Sequence, residues 1–142
     1  MLHVKHLLQE KGNQIYSIEA DKPVLEALRR MAEHGIGSLL VMRGDKLVGI
    51  VSERDYARNV ILKGRSSAQT PVADIMATSV LTIGPGDTVA TCMHLCTDQR
   101  VRYLPVVEDD KVIGLLSLGD LIKAVISEQS EQIEQLQRYI AG

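Results

Sequence analysis

The sequence predicts a mixed α/β fold: two tandem β-α-β-β-α repeats packed around a pseudo-two-fold axis, followed by an extended C-terminal helix. Three observations predict it: an internal duplication, the same order of β-rich and helical segments in both copies, and an amphipathic pattern along residues 121–140. A single copy is too small to bury a stable core easily, so we expect the copies to pack together and leave clefts where they meet.

The duplication becomes visible when the chain is shifted against itself by 65 residues, so that residues 17–58 fall on residues 82–123 without a gap. The identical pairs include Val24 and Val89, Leu39 and Leu104, Gly49 and Gly114, Ser52 and Ser117, and Asp55 and Asp120. A repeat of this kind indicates two equivalent structural units. We therefore predict one domain at residues 1–70, with an N-terminal segment, repeat 1 and a linker, and a second at residues 71–142, with repeat 2 and the C-terminal helix.

The first copy has the local signals of each element. Its elements are a short apolar strand at 15–18, a helix after Asp21-Lys22-Pro23, β-rich runs at 38–42 and 47–51, and a second helix that begins at Ser52. The inward stripe of the first helix is Val24, Ala27, Leu28 and Met31. Residues 63–70 form a polar linker, and residues 71–76 are predicted to make a short helix.

The second copy repeats this order. Its elements are an apolar strand at 80–83, a helix after Pro85-Gly86-Asp87, β-rich runs at 103–107 and 112–116 joined by a turn, and a helix that begins at Ser117. Its inward stripe is Val89, Cys92, Met93 and Cys96. Residues 121–140 then read as one long helix with an apolar stripe of Ile126, Ile133, Leu136 and Ile140. The distal stripe has little to pack on in a monomer, so a homodimer is predicted.

Charge and composition exclude several classes of protein. The 45% hydrophobic and 24% charged content is that of an ordinary globular protein, and the formal charge of −2 gives no reason to expect nucleic acid or an anionic membrane as the main partner. No apolar run is long enough to cross a bilayer, and residues 1–10 lack the apolar core of a signal peptide. We therefore predict a cytoplasmic protein.

The cysteine and histidine residues favour packing roles over metal binding. Cys92 and Cys96 are four residues apart on the inward face of a predicted helix, where free cysteine behaves as a small hydrophobic residue. His94 lies between them on the outer face, and zinc would need more ligands than this cluster supplies. His3 and His6 are predicted to be surface residues of a first helix. No catalytic constellation is recognisable, so the protein is not expected to be an enzyme.

One motif recurs at the predicted strand-to-helix junctions: Gly, two apolar residues, Ser, two residues and Asp. It is present at residues 49–55 and at residues 114–120. The simplest interpretation is a capping box, in which the Ser oxygen accepts the third helical amide and the acid reaches back. Asp is shorter than the usual Glu, and we expect it to reach back less well. A helix N-terminus with a hydroxyl attracts phosphate, and a carboxylate accepts ribose hydroxyls, so the repeated motif also predicts a nucleotide site.

From about Ile15 to Ile126 the chain resembles a CBS-domain pair, or Bateman module, of the short stand-alone type. The family motif Gly-hydrophobic-x-Thr/Ser-x-x-Asp matches both junctions, and Arg102-Tyr103-Leu104-Pro105-Val106-Val107 is similar to the basic residue and Leu-Pro-Val-Val often found in the second strand. The resemblance implies a non-catalytic regulatory module. Family members bind AMP, ADP, ATP, NAD or S-adenosylmethionine in the clefts between repeats and signal by conformational change.

The resemblance also implies roles for individual residues. Asp55 and Asp120 would hold ribose hydroxyls, with Ser52 and Ser117 near phosphate or ribose. Phosphate would meet Arg102 and, less directly, Arg54, Arg58 and Arg100. Adenine would lie among the residues Ile15, Tyr16, Ile18, Ile36, Gly37 and Ser38, or Val80, Ile83, Val101 and Tyr103. Leu118-Gly119 replaces Glu53-Arg54 in the second copy, so the two clefts are expected to differ.

Two alternatives remain open from the sequence. The protein could be a structural or interaction scaffold with no physiological nucleotide. It could also bind nucleic acid weakly through a basic cluster of Arg54, Arg58, Lys63 and Arg65, for which a solvated helix face and linker is the simpler explanation. The scarcity of aromatic residues, with no Trp, no Phe and four Tyr, disfavours a single-stranded nucleic-acid platform.

Overall fold

A computed structural model describes residues 1–12 and 14–141 and divides the chain into two compact units. The repeat-1 unit comprises Gln14–Leu81 and Asp109–Ile113, and the repeat-2 unit comprises Met1–Asn13, Thr82–Glu108 and Gly114–Gly142. The N-terminal segment therefore groups with the second repeat, although it adjoins the first in the sequence. The boundary predicted between residues 70 and 71 divides the repeats along the chain, and it stays a prediction.

The repeat-1 unit contains a three-stranded sheet with the order β1-β2-β3. Its strands are β1 (Ser17–Glu19), β2 (Ser38–Arg43) and β3 (Lys46–Ser52). β1 is parallel to β2 and connected to it through α2 (Val24–His34), whereas β2 and β3 form an antiparallel hairpin. A helical crossover produces parallel neighbours and a tight turn produces antiparallel ones. The predicted elements are confirmed, with strand ends shifted by one or two residues.

The core of the repeat-1 unit joins the stripe of α2 to inward residues of the sheet. Val24, Ala27 and Met31 are buried, and Leu28 packs against them in part, as the helical periodicity predicted. The other buried members of this cluster are Ile18, Ala20, Leu39, Val41, Val51, Val60, Val72 and Ile75. Burial of each aliphatic side chain contributes about 1.5–3 kcal/mol, which makes this cluster the main source of stability for the unit.

The predicted polar linker caps the N-terminus of α2 with backbone carbonyl groups. Pro23 occupies the N-cap position and offers no side-chain acceptor. Instead the amide of Val24 donates to the Thr70 carbonyl at 2.8 Å, and that of Leu25 donates to the Ser67 carbonyl at 3.0 Å. The first amides of a helix have no hydrogen-bond acceptor within the helix. Because the Pro23 side chain offers none either, the carbonyl groups of the linker accept these hydrogen bonds. Thr70 is accordingly buried.

Repeat 1 ends in a short, irregular helical segment. The helix predicted to begin at Ser52 is present as α3 (Glu53–Tyr56) and continues as one π-helical turn, Ala57–Ile61. The short helix predicted at 71–76 is a 3₁₀ turn, Val72–Asp74. Beyond it, Ile50 and Ala77 exchange backbone hydrogen bonds of 3.0 and 2.9 Å, so residue 77 lies beside the outer edge of β3.

The repeat-2 unit has a two-stranded sheet and three helices. They are α1 (Val4–Lys11), α4 (Val89–Gln99), β4 (Tyr103–Glu108), β5 (Lys111–Ser117, which belongs to this unit from Gly114 onward) and α5 (Leu118–Ala141). Helix α4 buries Val89, Cys92 and Cys96 and packs against α5, which confirms the predicted stripe. The helix predicted at residues 121–140 is confirmed and starts three residues earlier, directly after β5.

The strand predicted at 80–83 is wrong as a regular strand. Only Ile83 forms a parallel bridge, with Val106, through hydrogen bonds of 3.0 Å to the Pro105 carbonyl and 2.8 Å from the Val107 amide. In repeat 1 the Leu40 amide donates to the Tyr16 carbonyl at 3.1 Å, but Pro105 stands at the equivalent position and has no amide hydrogen. A turn follows at once, because the Asp87 carboxylate accepts from the Gly84 amide at 2.7 Å.

The predicted first helix is confirmed as α1, but its histidines are not freely exposed. His3 forms a bridge with Thr88, and His6 Nδ1 accepts a hydrogen bond of 3.1 Å from the His3 amide. Both residues are half-buried, and His6 supplies the acceptor that the amide at the start of the helix needs. Within residues 1–12 and 14–141 no group of three or more His, Cys, Asp or Glu side chains is arranged to hold a metal.

None of the helices within the described ranges has the combination of length and apolar character needed to cross a membrane. Even α5, at 24 residues the longest element, carries charged and amide side chains along its outer faces.

We predict that both thiols of the folded protein resist modification. Burial raises the pKa of both, and together with the charge of Asp87 it raises the pKa of Cys92 to about 11, so little reactive thiolate is present at pH 8. Ellman's reagent should therefore release no rapid thiol signal from native protein and two thiols per chain in urea. Rapid labelling of the native state would contradict the core assignment.

Candidate functional site

The two strand-to-helix junctions have the same backbone hydrogen bonds. In repeat 1 the amide of Glu53, the first residue of α3, donates to the Gly37 carbonyl at 3.1 Å. In repeat 2 the amide of Leu118, the first residue of α5, donates to the Arg102 carbonyl at 2.8 Å. These pairs are related by the 65-residue shift of the duplication. Each junction is thus held to the loop that precedes the first hairpin strand of its own repeat.

The motif Ser and Asp residues form reciprocal capping boxes in both repeats. Ser52 Oγ accepts the Asp55 amide at 3.2 Å, and Asp55 Oδ2 accepts the Ser52 amide at 2.9 Å. The corresponding distances for Ser117 and Asp120 are 3.1 and 2.8 Å. The expectation that Asp would reach back poorly is wrong, because Asp at the third helical position spans the turn. One oxygen of each carboxylate is therefore engaged with backbone, and the other, Oδ1, retains the capacity to accept a further hydrogen bond.

The motif glycines allow a close approach by a neighbouring chain segment. A Cβ atom at Gly49 would lie 2.7 Å from Met76 Sδ and 2.8 Å from the Ala77 carbonyl oxygen. A Cβ atom at Gly114 would lie 2.5 Å from Leu8 Cδ2. In β3 the register also shifts beside Gly49, since Val41 pairs with Gly49 but Met42 pairs with Leu47. The glycines have a packing role that accounts for them without a ligand.

In repeat 1 several predicted site residues lie at one end of the sheet, where β2 begins and β3 ends. Ser38 pairs with Ser52 across the hairpin and is buried. The Gly37 carbonyl holds the start of α3, and Tyr16 stacks on His34 with ring centroids 4.1 Å apart. Ile15 and Ile36 are half-buried. By contrast, Ile18 is 1% exposed within the core, where it packs rather than offering surface to a ligand.

In repeat 2 the predicted residues follow the same loop and strand. Val101 and Tyr103 are half-buried on either side of Arg102, and the Val101 amide donates to the Cys96 carbonyl at 3.1 Å. Ile83 is buried by its bridge to Val106. Val80 is half-buried in the segment that belongs to the other unit.

The four predicted phosphate-binding arginines are all exposed: Arg54, Arg58, Arg100 and Arg102. Among the described residues, no carboxylate forms an ion pair with any of them, so their guanidinium groups remain available to an anion. Arg100 has a left-handed backbone with φ of 55°, at the position that Gly35 occupies in repeat 1 with φ of 63°. A side chain in this conformation is strained.

One polar residue near the second junction was missed by sequence reasoning. Lys11, the last residue of α1, donates to Asp120 Oδ2 at 2.6 Å and to the Leu115 carbonyl at 2.8 Å. Burial opposes ionisation of Asp120, but the hydrogen bonds from Lys11 and Ser117 and the charge of Lys11 outweigh it, so the pKa of Asp120 lies below its ordinary value. Lys11 precedes the duplication and is 109 residues from Asp120, so no local pattern could have indicated the pair.

A cavity of about 200 Å³ opens beside this ion pair in the repeat-2 unit. Its lining residues are Leu7, Glu10, Lys11, Leu116, Asp120, Lys123, Ala124 and Ser127. Pockets that enclose a drug-sized ligand have volumes of roughly 300–1,000 Å³. The cavity therefore matches a sugar- or phosphate-sized group in volume.

Comparison with known proteins identifies the family. The CBS domain model matches the chain twice, at residues 4–61 and 72–127. The chain belongs to the CBS-domain family. Both matches contain one Gly-x-x-Ser-x-x-Asp junction, and CBS-domain pairs are regulatory modules that bind nucleotides or other ligands. The recognised family and the mixed α/β fold of two CBS repeats are thereby confirmed.

Individual CBS proteins are similar over most of the chain. The mitochondrial CBS domain-containing protein CBSX3 of Arabidopsis thaliana is 41% identical over 86% of this chain, which spans 62% of that longer protein. A solved protein with CBS domains from Burkholderia ambifaria MC40-6 is 45% identical, with a TM-score of 0.86 over 89% of this chain and 96% of its own. The CBS domain pair of protein MJ0100 has the same fold at 21% identity and a TM-score of 0.79, over 90% of this chain and 98% of its own. That pair was solved with 5′-methylthioadenosine and S-adenosyl-L-methionine.

We predict that Lys11→Met weakens the fold only where Asp120 is ionised. Asp120 has a lowered pKa, so its contribution is present above the ordinary aspartate pKa and is lost as pH falls through the lowered value. The partners are 43% and 30% exposed, so the loss at pH 7 should be about 1 kcal/mol or less. Urea unfolding at pH 7 and pH 3 measures it. Lys5→Met, on the same helix, is the control, and an equal loss at both pH values would contradict the ion-pair role.

We also predict that Arg100→Gly stabilises the protein by about 1 kcal/mol, because glycine adopts the left-handed conformation without strain. The reverse change, Gly35→Arg at the equivalent position, should destabilise by a similar amount. Urea unfolding midpoints at pH 7 compare the three proteins. A loss of stability in Arg100→Gly would contradict this prediction. It would show that contacts of the arginine side chain stabilise the fold by more than its left-handed backbone conformation destabilises it.

Proposed function

We propose that this CBS-domain protein is a non-catalytic regulatory module that binds an adenine nucleotide, of the AMP, ATP or NAD type, and signals by a change of conformation. The observation that carries the proposal is the duplicated junction, in which each helix start presents a Ser hydroxyl and an Asp carboxylate held by the same hydrogen bonds. Capping fixes one carboxylate oxygen and orients the other. A fixed carboxylate is a suitable acceptor for vicinal ribose hydroxyls.

The chemistry around each junction supports an adenosine group over a plain anion. A carboxylate repels phosphate, so Asp55 and Asp120 favour the neutral hydroxyls of the sugar, while the exposed arginines nearby in sequence carry the charge that phosphate needs. The pair of protein MJ0100, which shares the fold, was solved with two adenosine-containing ligands. The half-buried aliphatic residues Ile15, Ile36 and Val101 supply the apolar contacts for a base.

The two sites are proposed to differ in affinity. Asp120 is already paired with Lys11, whereas no described residue forms an ion pair with Asp55. Binding of ribose at Asp120 would have to share or displace the lysine, which costs part of the binding free energy. Lys11 could then reach a ligand phosphate instead. We therefore propose that an adenosine ligand without phosphate binds more readily at Asp55 than at Asp120, and that phosphate reduces this difference.

We predict that Asp55→Ala and Asp120→Ala each remove one binding event. Charge-assisted hydrogen bonds contribute about 1.5–3 kcal/mol, so affinity at the altered site should fall about 10- to 100-fold. Titration calorimetry with AMP, ATP, NAD and S-adenosylmethionine measures the number of sites and the affinity of each.

Asp87→Ala is the matched control for that experiment. The Asp87 carboxylate also accepts a backbone amide at a turn, at 2.7 Å from Gly84, but it lies outside the junctions. All three variants should lose comparable stability through the missing cap, and only the junction variants should lose nucleotide affinity. Unchanged affinity in both Asp55→Ala and Asp120→Ala would overturn the ribose assignment.

Two other proposals are weaker on the same observations. Of the basic cluster, Arg65 is paired with Asp74 at 2.9 Å, so its charge is partly neutralised and a polyanion has less to bind. A scaffold without nucleotide is consistent with the glycine packing but leaves the exposed arginines unexplained. A steep fall in affinity for nucleic acid with salt would support the first alternative. The cytoplasm as compartment and a homodimer as assembly also remain proposals.

A further inference from the structure

The distal half of α5 is exposed to solvent along its length within the described part of the chain. Every residue from 129 to 141 is exposed, and the buried residue of α5 is Leu121, near its start. Isolated helices of fewer than about 12–15 residues are marginal in water, because tertiary packing supplies most helical stability. A helix of this length therefore needs a partner along its exposed apolar side.

The apolar side follows a heptad pattern. With Ile126 at position a, the a positions are Ile126, Ile133 and Ile140, and the d positions are Ile122, Gln129 and Leu136. The five apolar members are between 41% and 81% exposed. A stripe of period 3.5 is typical of coiled coils, and Ile133 at a next to Leu136 at d is the combination that favours two parallel strands. We call this stripe the α5 seam.

Lys123 lies at an e position, but beyond it the charge on α5 avoids the seam and its edges. Beyond Lys123 the charged residues are Glu128, Glu131, Glu134 and Arg138, at the outer positions c, f, b and f. Glu134 and Arg138 lie 3.8 Å apart on that outer face. The flanking e and g positions hold Val125, Ser130, Gln132, Gln137 and Tyr139. An identical helix can therefore approach without repulsion between like charges, whereas the seam offers a charged partner nothing to pair with.

Gln129 distinguishes the two possible directions. In a parallel pair a d residue faces its own copy, so the two amides can hydrogen-bond to each other. In an antiparallel pair a d residue faces an a residue, so Gln129 would face Ile133 and lose a hydrogen-bonding partner, which costs free energy. From these observations we propose that the α5 seam binds a second copy of this chain as a parallel, in-register, two-stranded coiled coil. The proposal is independent of nucleotide binding.

The first test is the oligomeric state without nucleotide. Light scattering coupled to size exclusion should give a dimer for the wild type at micromolar concentration. Ile133→Glu places two facing carboxylates in the seam and should raise the dimer dissociation constant at least about 100-fold. Gln135→Glu adds the same side chain at an outer position and should leave the dimer intact. A monomeric wild type, or a dimer that survives Ile133→Glu, would overturn the proposal.

The second test reports direction. Gln129→Cys should form an intermolecular disulfide under mild oxidation, because the two d residues face each other, whereas Glu131→Cys on the outer face should not. The native thiols of Cys92 and Cys96 are buried, so we expect them to form no intermolecular disulfide under the same conditions. If Gln129→Cys does not cross-link but a mixture of Gln129→Cys and Ile133→Cys does, the helices are antiparallel and the parallel arrangement is wrong.

Discussion

The reciprocal hydrogen bonds between serine and aspartate at the end of each hairpin are the constraint on which the rest of the structure depends. They stop the strand, start the helix and, with the carbonyl of Gly37 or Arg102, fix that start to the preceding loop. A capping interaction of this kind contributes about 1 kcal/mol, a modest sum. Its larger effect is geometric, since it determines where one carboxylate oxygen points. The simple structural interpretation of the motif and the ligand interpretation are therefore compatible, because capping is what orients the remaining oxygen.

Three departures from the duplication make the repeats unequal. Lys11 engages Asp120 but lies outside the repeated segment, Pro105 removes an amide donor from the second sheet, and Arg100 occupies a backbone conformation that suits the glycine of the first repeat. Each difference has a simple chemical cause: the charge of Lys11 attracts Asp120, Pro105 has no N–H group, and the Cβ atom of Arg100 strains a left-handed backbone. Together they lead us to expect that the two sites have different ligand preferences.

Helix α5 connects the second junction to the exposed seam without interruption. Asp120 lies in its first turn, and the seam extends to Ile140, about 30 Å farther along at 1.5 Å per residue. A rigid helix transmits a change of orientation at its start to its far end. A ligand at Asp120 that displaced Lys11 would act on the element that we propose joins two copies. Ligand binding and assembly would then be coupled through one secondary-structure element, with no second pathway needed.

The sequence by itself determined the duplicated order of elements, the buried stripes of α2 and α4, both junction motifs and the long final helix, because these depend on local periodicity and on residues close together in the chain. It offered the capping box as the simplest interpretation of the motif, but the expectation that Asp55 and Asp120 reach back less well was wrong, since the reach of a short side chain depends on exact backbone geometry at the helix start. It could not predict that residues 80–83 fail to form a strand, because the missing donor is Pro105, on another element. Only the tertiary structure decided that α1 groups with the second repeat and places Lys11 on Asp120, since a contact between residues 109 apart leaves no periodic trace in the chain.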